Sequence, residues 1–114
     1  MTIKELISEI TDEVNIQCAR TFWDKDARGN PPDEYFVWKI SGYNDRIESD
    51  NSSEVVENTV SISLFSKKED FDERAEEIIT AAQKRGCKAY MLSFEDYEKE
   101  TKYHHKEIEF IIRR

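Results

Sequence analysis

Two stretches, Cys87-Lys88-Ala89-Tyr90-Met91-Leu92-Ser93-Phe94-Glu95-Asp96-Tyr97 and Tyr103-His104-His105-Lys106-Glu107-Ile108-Glu109-Phe110-Ile111-Ile112-Arg113, decide the fold. Between them lies a polar link, Glu98-Lys99-Glu100-Thr101-Lys102. In the first arm Cys87, Ala89 and Met91 point one way and Tyr90, Leu92 and Phe94 the other. In the second, Ile108, Phe110 and Ile112 oppose Glu107, Glu109 and Arg113. Period-2 alternation of this length predicts half-buried strands, and the polar link makes them a hairpin. A lone hairpin is marginal in water, so other elements must cover it. Leu92, Phe94, Ile108, Phe110 and Ile112 are expected to complete that core.

Upstream of the hairpin, Lys68–Arg85 reads as a helix. Its buried stripe is Phe71, Ala75, Ile78, Ile79 and Ala82, with acids early, Lys84 and Arg85 late, and Gly86 at a left-handed C-cap. Ser66-x-x-Glu69 and Asp70-x-x-Glu73 compete as capping boxes for its start. Glu54–Ser66 reads as a strand with Val56, Val60, Ile62 and Leu64 on one face and Thr59, Ser61, Ser63 and Phe65 on the other. Glu34–Tyr43 is a further strand, with Phe36, Trp38 and Ile40 against Tyr35, Val37 and Lys39. Over Asn44–Asn58 five carboxylates, Asp45, Glu48, Asp50, Glu54 and Glu57, stand against Arg46 alone, a net −4. A long acidic loop is expected at about 44–54, with turn chemistry at Asp50-Asn51-Ser52-Ser53.

At the start, Thr2-x-x-Glu5 is a capping box opening a helix whose apolar face is Ile3, Leu6, Ile7, Ile10 and Val14, ending at Asp12 or Asn15. Ile16–Phe22 is a strand candidate. Trp23–Asp33, with Gly29-Asn30-Pro31-Pro32, reads as a loop. The order α-β-β-β-α-β-β predicts one α+β domain over residues 1–114, an antiparallel or mixed sheet with both helices packed on one face.

Bulk properties exclude several roles. The net charge is −8 and 37% of the 114 residues are charged, which opposes a phosphate-binding surface. No apolar run approaches the ~20 residues of a spanning helix, and the start lacks a signal peptide's pattern, so no membrane contact is expected. Cys18 and Cys87, far apart in strand-like runs, read as buried free thiols in a reducing compartment. His104 and His105 project to opposite faces of a strand and cannot readily share a metal. His105, Glu107 and Glu109 share a face but lack the further ligands a site needs, and that face reads as solvated. Replacement of both histidines by Gln is expected to leave stability nearly unchanged. No Gly-rich phosphate loop, nucleophile elbow or Cys-x-x-Cys occurs, and no cofactor is implied. The chain reads as a non-enzyme. Tyr35, Tyr43, Tyr90, Tyr97 and Tyr103 fall on strand ends or faces away from the core, where tyrosine suits protein contacts or simply covers the sheet. Trp23 suits either a contact or a local anchor for its loop.

The opening helix Ile3-Lys4-Glu5-Leu6-Ile7, the strand-to-helix passage Val60–Lys68 and the closing Asp96–Phe110 together resemble the tail-completion proteins of long-tailed bacteriophages and prophages, also called tail terminator or head–tail joining proteins. The likeness extends to length and element order. It implies a structural protein that forms a ring, typically a hexamer, on the end of the tail tube, stops polymerisation and receives the head connector. Tube protein and connector would be its partners, the head–tail junction of the virion its place, and the bacterial cytoplasm its site of assembly. On this resemblance Asn44–Ser53, with Asp45, Glu48 and Asp50, would line a channel that repels DNA or dock on the tube. Two other classes compete: an acidic monomeric regulator or inhibitor mimicking nucleic acid, and a small hydrolase built on acidic residues.

Overall fold

The computed structural model of the protein describes residues 2–47, 54–68 and 71–113, and the side chains of 43–47, 54–56 and 93–95 are outside that description. The fold is α+β, as the periodicity predicts. Its elements are α1 (Ile3–Val14), β1 (Gln17–Arg20), α2 (Lys25–Arg28), β2 (Glu34–Ile47), β3 (Glu54–Ser66), α3 (Asp72–Lys84), β4 (Lys88–Glu98) and β5 (Tyr103–Arg113). The five strands form one mixed sheet in the order β1-β2-β3-β5-β4. Only β1, alongside β2, runs parallel to its neighbour.

Local chemistry sets the helix ends. Thr2 caps α1 by accepting the Glu5 amide at 3.1 Å. Glu5 closes the box by accepting the Thr2 hydroxyl rather than its amide. Asn15, left-handed at φ 56°, stops the helix. α3 starts at Asp72, a turn later than the sequence suggests. Ser66 does not cap it; its hydroxyl accepts the Lys68 amide in a local turn. Glu69 of that box, and Asp70, the cap of the competing box, lie outside the described residues. At the other end Gly86 (φ 87°) donates to Gln83 O and Cys87 to Ala82 O, a Schellman pair that only a residue tolerant of positive φ closes without strain.

α1 and α3 cover one sheet face. Ile3, Leu6, Ile7, Ile10 and Val14 meet Phe71, Ala75, Ile78, Ala81 and Ala82 over Phe36, Trp38, Val60, Ile62, Leu64, Ile108 and Phe110. Full burial of each large side chain contributes about 1.5–3 kcal/mol. Arg74 ties the layers together, reaching Glu34 at 2.7 Å, Glu77 at 2.6 Å and Val14 O at 2.8 Å. Cys18 and Cys87 are free thiols whose pKa values burial pushes up.

Several expectations need correction. A turn of helix, α2, interrupts the presumed loop at Trp23–Asp33: Asp24 caps it by accepting the amides of Asp26 and Ala27. β2 continues to Ile47, so Asn44–Ile47 pair with β3 instead of looping, while Glu48 and Asp50 lie outside the described residues. In β4 the pairing shifts between Met91 and Glu95. Cys87 and Ala89 face the core with Met91 packed against it, whereas Leu92 is half-buried outside it and Phe94's side chain is not described.

Candidate interaction surface

Among the described residues no helix packs across the second sheet face, and the strand register fixes what it presents. Three rows cross it: Tyr35, Phe65, His105 and Asp96; then Val37, Ser63 and Glu107; then Lys39, Ser61, Glu109 and Tyr90. The first row is a ladder of stacked rings. Tyr35 lies on Phe65 with centroids 4.9 Å apart and planes at 14°, and Phe65 lies on His105 at 4.6 Å and 11°. Such cross-strand aromatic pairs contribute about 0.5–1.5 kcal/mol each beyond area.

One end of the ladder is closed. Tyr103 meets Tyr35 edge-on at 5.4 Å and its hydroxyl donates to Pro32 O at 2.7 Å. Trp23 meets Tyr35 at 5.3 Å, donates from Nε1 to Gly29 O and carries the Arg28 guanidinium 3.8 Å above its ring. Beside them opens a cavity of about 360 Å³, bordered by Lys25, Pro31, Lys67, Glu98 and the rings of Tyr35 and Tyr103. Burial, then Tyr103 and Glu98, pushes the Tyr35 phenol up to about 12.

In the middle row Glu107 Oε1 accepts the Ser63 hydroxyl at 2.8 Å and meets His105 Nε2 at 2.5 Å. The bond to Glu107 raises His105 above an ordinary imidazole against the cost of burial, and Glu98 and Asp96 add to the rise. Burial acts most strongly on Glu107 and raises it, yet the bonds from His105 and Ser63 and the charges of His105 and Lys39 leave it lowered. Each partner thus favours the charged form of the other. Serine, histidine and a carboxylate meet here in an order that does not activate serine: the carboxylate stands between the other two. Ser63 donates to an anion of weakened basicity, and the imidazole that would take its proton is bonded to the same anion. His104 projects to the other face, 4.7 Å from Tyr97 and 6.4 Å from Phe71. Glu109 sits beside Tyr90, whose hydroxyl it raises, and does not join His105 and Glu107. Among the described residues no group of three His, Cys, Asp or Glu side chains is placed to hold a metal ion.

The residues picked out as partner contacts are thus dispersed. Tyr35 and Tyr103 are 8% and 5% exposed and are fixtures of the ladder. Trp23 anchors the α2 segment. Tyr97 is exposed at the far end of β4. Tyr43 and Asp45 lie on β2, their side chains outside the description; Glu48 and Asp50 lie beyond the described residues. Phe22, 63% exposed, was missed. It follows Thr21, which adopts φ 70° in a three-residue turn closed by the Phe22 amide on Arg20 O. A β-branched residue there is strained. The adjacency Phe22-Trp23, one ring anchoring and one left over, is the signal that could have found it.

No known family model matches this sequence, and no curated protein is significantly similar to it.

Proposed function

We propose that the chain is a non-enzymatic assembly protein of the tail-completion kind, a ring subunit that ends a phage tail tube and prepares it for the head connector. The observation that carries the proposal is the one-sided sheet. Two helices cover one face, and the other presents an ordered row of rings beside a bonded carboxylate. Its rings are stacked, Glu107 is held by Ser63 and His105, and Tyr90 stands exposed on it at the β4 edge. Preorganised rings with polar neighbours suit docking, because little side-chain freedom remains to be lost. The element order agrees with the resemblance carried by the opening helix and the closing hairpin.

The test is growth of tail tubes from a phage tube protein, followed by electron microscopy. Addition of this protein is expected to give tubes that stop lengthening and carry a collar at one end. Tubes of unrestricted length without a collar would sink the reading. Phe22→Ser combined with Tyr90→Ser is expected to weaken termination at least tenfold in the concentration required, in line with loss of two aromatic anchors.

A further inference from the structure

The cavity at the closed end of the ring ladder carries polar chemistry that the fold does not use. It encloses about 360 Å³, at the lower end of the roughly 300–1,000 Å³ of small-molecule pockets. Lys25 of α2, Pro31, Tyr35 and Phe65 of the sheet, and Glu98 with Tyr103 beside the β4–β5 turn all border it. These walls are tied together by the fold itself. The Lys67 amide donates to Asp33 O at 2.9 Å and the Tyr103 hydroxyl to Pro32 O, which fasten the Pro-rich segment to the sheet. Trp23 fastens α2, bonding Gly29 O while its ring meets Tyr35. Walls fixed in this way lose little freedom to a ligand.

Tyr35 supplies the deciding observation. The residue is 8% exposed, closed in by Trp23, Phe65 and Tyr103. Its hydroxyl nevertheless has no hydrogen-bond partner among the described residues, whereas the neighbouring Tyr103 hydroxyl reaches both Pro31 O and Pro32 O. Hydroxyls this deeply placed are ordinarily bonded. Among the described residues no side-chain nitrogen or oxygen is both sealed from solvent and unpartnered, so the Tyr35 hydroxyl opens on the cavity that the residue borders. Burial, with Tyr103 and Glu98 adding to it, keeps this phenol protonated up to about 12, and at neutral pH it is a donor.

The surrounding charges select what it donates to. Lys25 and Lys67 border the cavity against one carboxylate, Glu98, which already accepts the Thr101 hydroxyl at 3.3 Å. Among the described residues Lys25 reaches no carboxylate. Lys67 is loosely held, 3.8 Å from a largely exposed Asp33, with its ammonium 5.2 Å from the centre of the Tyr103 ring. Rings beside a carboxylate can cage a cation, but here the face of Tyr103 is already taken by an ammonium and a second one stands nearby. Donors outnumber acceptors, and the rest of the wall is flat and apolar.

The geometry points to a binding site for a small carboxylate on a flat apolar body. The carboxylate accepts from the Tyr35 hydroxyl and is paired by Lys25 and Lys67, and the body rests against Pro31 and the Tyr103 ring. This site goes beyond the tail reading and does not depend on it.

Nuclear magnetic resonance titration of the isotope-labelled full chain tests it, with phenylacetate, neutral phenylacetamide and cationic phenethylamine as probes. Phenylacetate is expected to shift the amide signals of Lys67, Thr101 and Tyr103 saturably, with a dissociation constant of about 1 mM or below. Phenylacetamide should bind at least about tenfold more weakly, and phenethylamine more weakly still. Tyr35→Phe keeps the ring stack and removes only an unpartnered hydroxyl. It should leave the melting temperature unchanged and weaken phenylacetate about tenfold. Lys25→Met combined with Lys67→Met should weaken it at least as much. Four results each overturn the inference. They are no saturable shift with phenylacetate up to about 20 mM, phenethylamine bound as tightly as phenylacetate, unchanged affinity in Tyr35→Phe, and a lowered melting temperature in Tyr35→Phe, which would give the hydroxyl a partner inside the protein. Tube termination is read in a separate assay, so the failure of either reading leaves the other standing.

Discussion

Replacement of Glu107 by Gln should destabilise the protein by an amount that depends on pH, because the carboxylate holds both Ser63 and His105. The side chains of His105 and Glu107 are 21% and 17% exposed, so solvent screens their bond only in part. A hydrogen bond between charged groups contributes about 1.5–3 kcal/mol, and here the lower half of that range, about 2 kcal/mol, is expected. His105 is raised from 6.5, so its share is fully present below that value and fades as pH climbs through the folded pKa. Glu107 is lowered from 4.5, so its share is present above that value and is lost as pH falls through the folded pKa. The two windows overlap between the unperturbed values, and there the pair contributes most.

The assay is urea unfolding of the natural protein, His105→Gln, Glu107→Gln and the double variant at about pH 5.5 and about pH 8.5, one below the ordinary imidazole value and one well above it. Glu107→Gln should cost about 2 kcal/mol at the lower pH and less at the higher, as the charge of His105 is lost. At the lower pH the melting temperature should fall by roughly 6–8 °C for a chain of this size. The double variant should cost much less than the sum of the single ones. A cost independent of pH, or strict additivity, refutes the ion pair. The sequence-based expectation that replacing the histidines is harmless then survives for His104 alone. For His105 the stack on Phe65 and the bond to Glu107 argue against it.

Two further substitutions probe how the elements are held. Arg74→Lys should lower stability by about 1–2 kcal/mol in urea, because a single ammonium cannot serve Glu34, Glu77 and Val14 O from one position. Gly86→Ala should cost about 1 kcal/mol by thermal melting, all of it from the positive φ, since a Cβ there meets nothing within 4 Å; Gly86→Asn should cost less.

The sequence was most legible where periodicity and caps agree. The faces of α1 and β3, the hairpin of β4 and β5 and the stop at Gly86 follow from the spacing of Ile, Val and Phe and from single turn residues. α2 escaped because one turn has no periodicity; its trace was Asp24 ahead and Gly29 behind. The extension of β2 escaped for the opposite reason. Tyr43-Asn44-Asp45-Arg46 lacks apolar alternation, and only pairing with β3 makes it a strand. Met91 rather than Leu92 turns to the core because it pairs with Ile108, as Ala89 pairs with Phe110, and alternation alone did not say which of β4's two faces meets the helices. Strand order was not readable, because the parallel placement of β1 and the insertion of β5 between β3 and β4 are decided by long-range packing.

The surface was misread in an instructive way. Exposure was inferred from alternation, which places Tyr35 on the uncovered face of the sheet. That placement is right, but an uncovered face is not an exposed one. Tyr35 is sealed by Trp23, Phe65 and Tyr103, and Tyr103 is pinned by the carbonyls of Pro31 and Pro32, so the Pro-rich segment acts as a lid over one end of the ladder. Tyr35, Tyr103 and Trp23 thus build the surface, and the exposed rings are Phe22 beyond the lid, Tyr90 on this face at the β4 edge and Tyr97 on the opposite face. A partner on this face meets a platform whose rings are already fixed. Cutting the Tyr103 hydroxyl therefore loosens the platform, whereas cutting Phe22 or Tyr90 removes contact without loosening it.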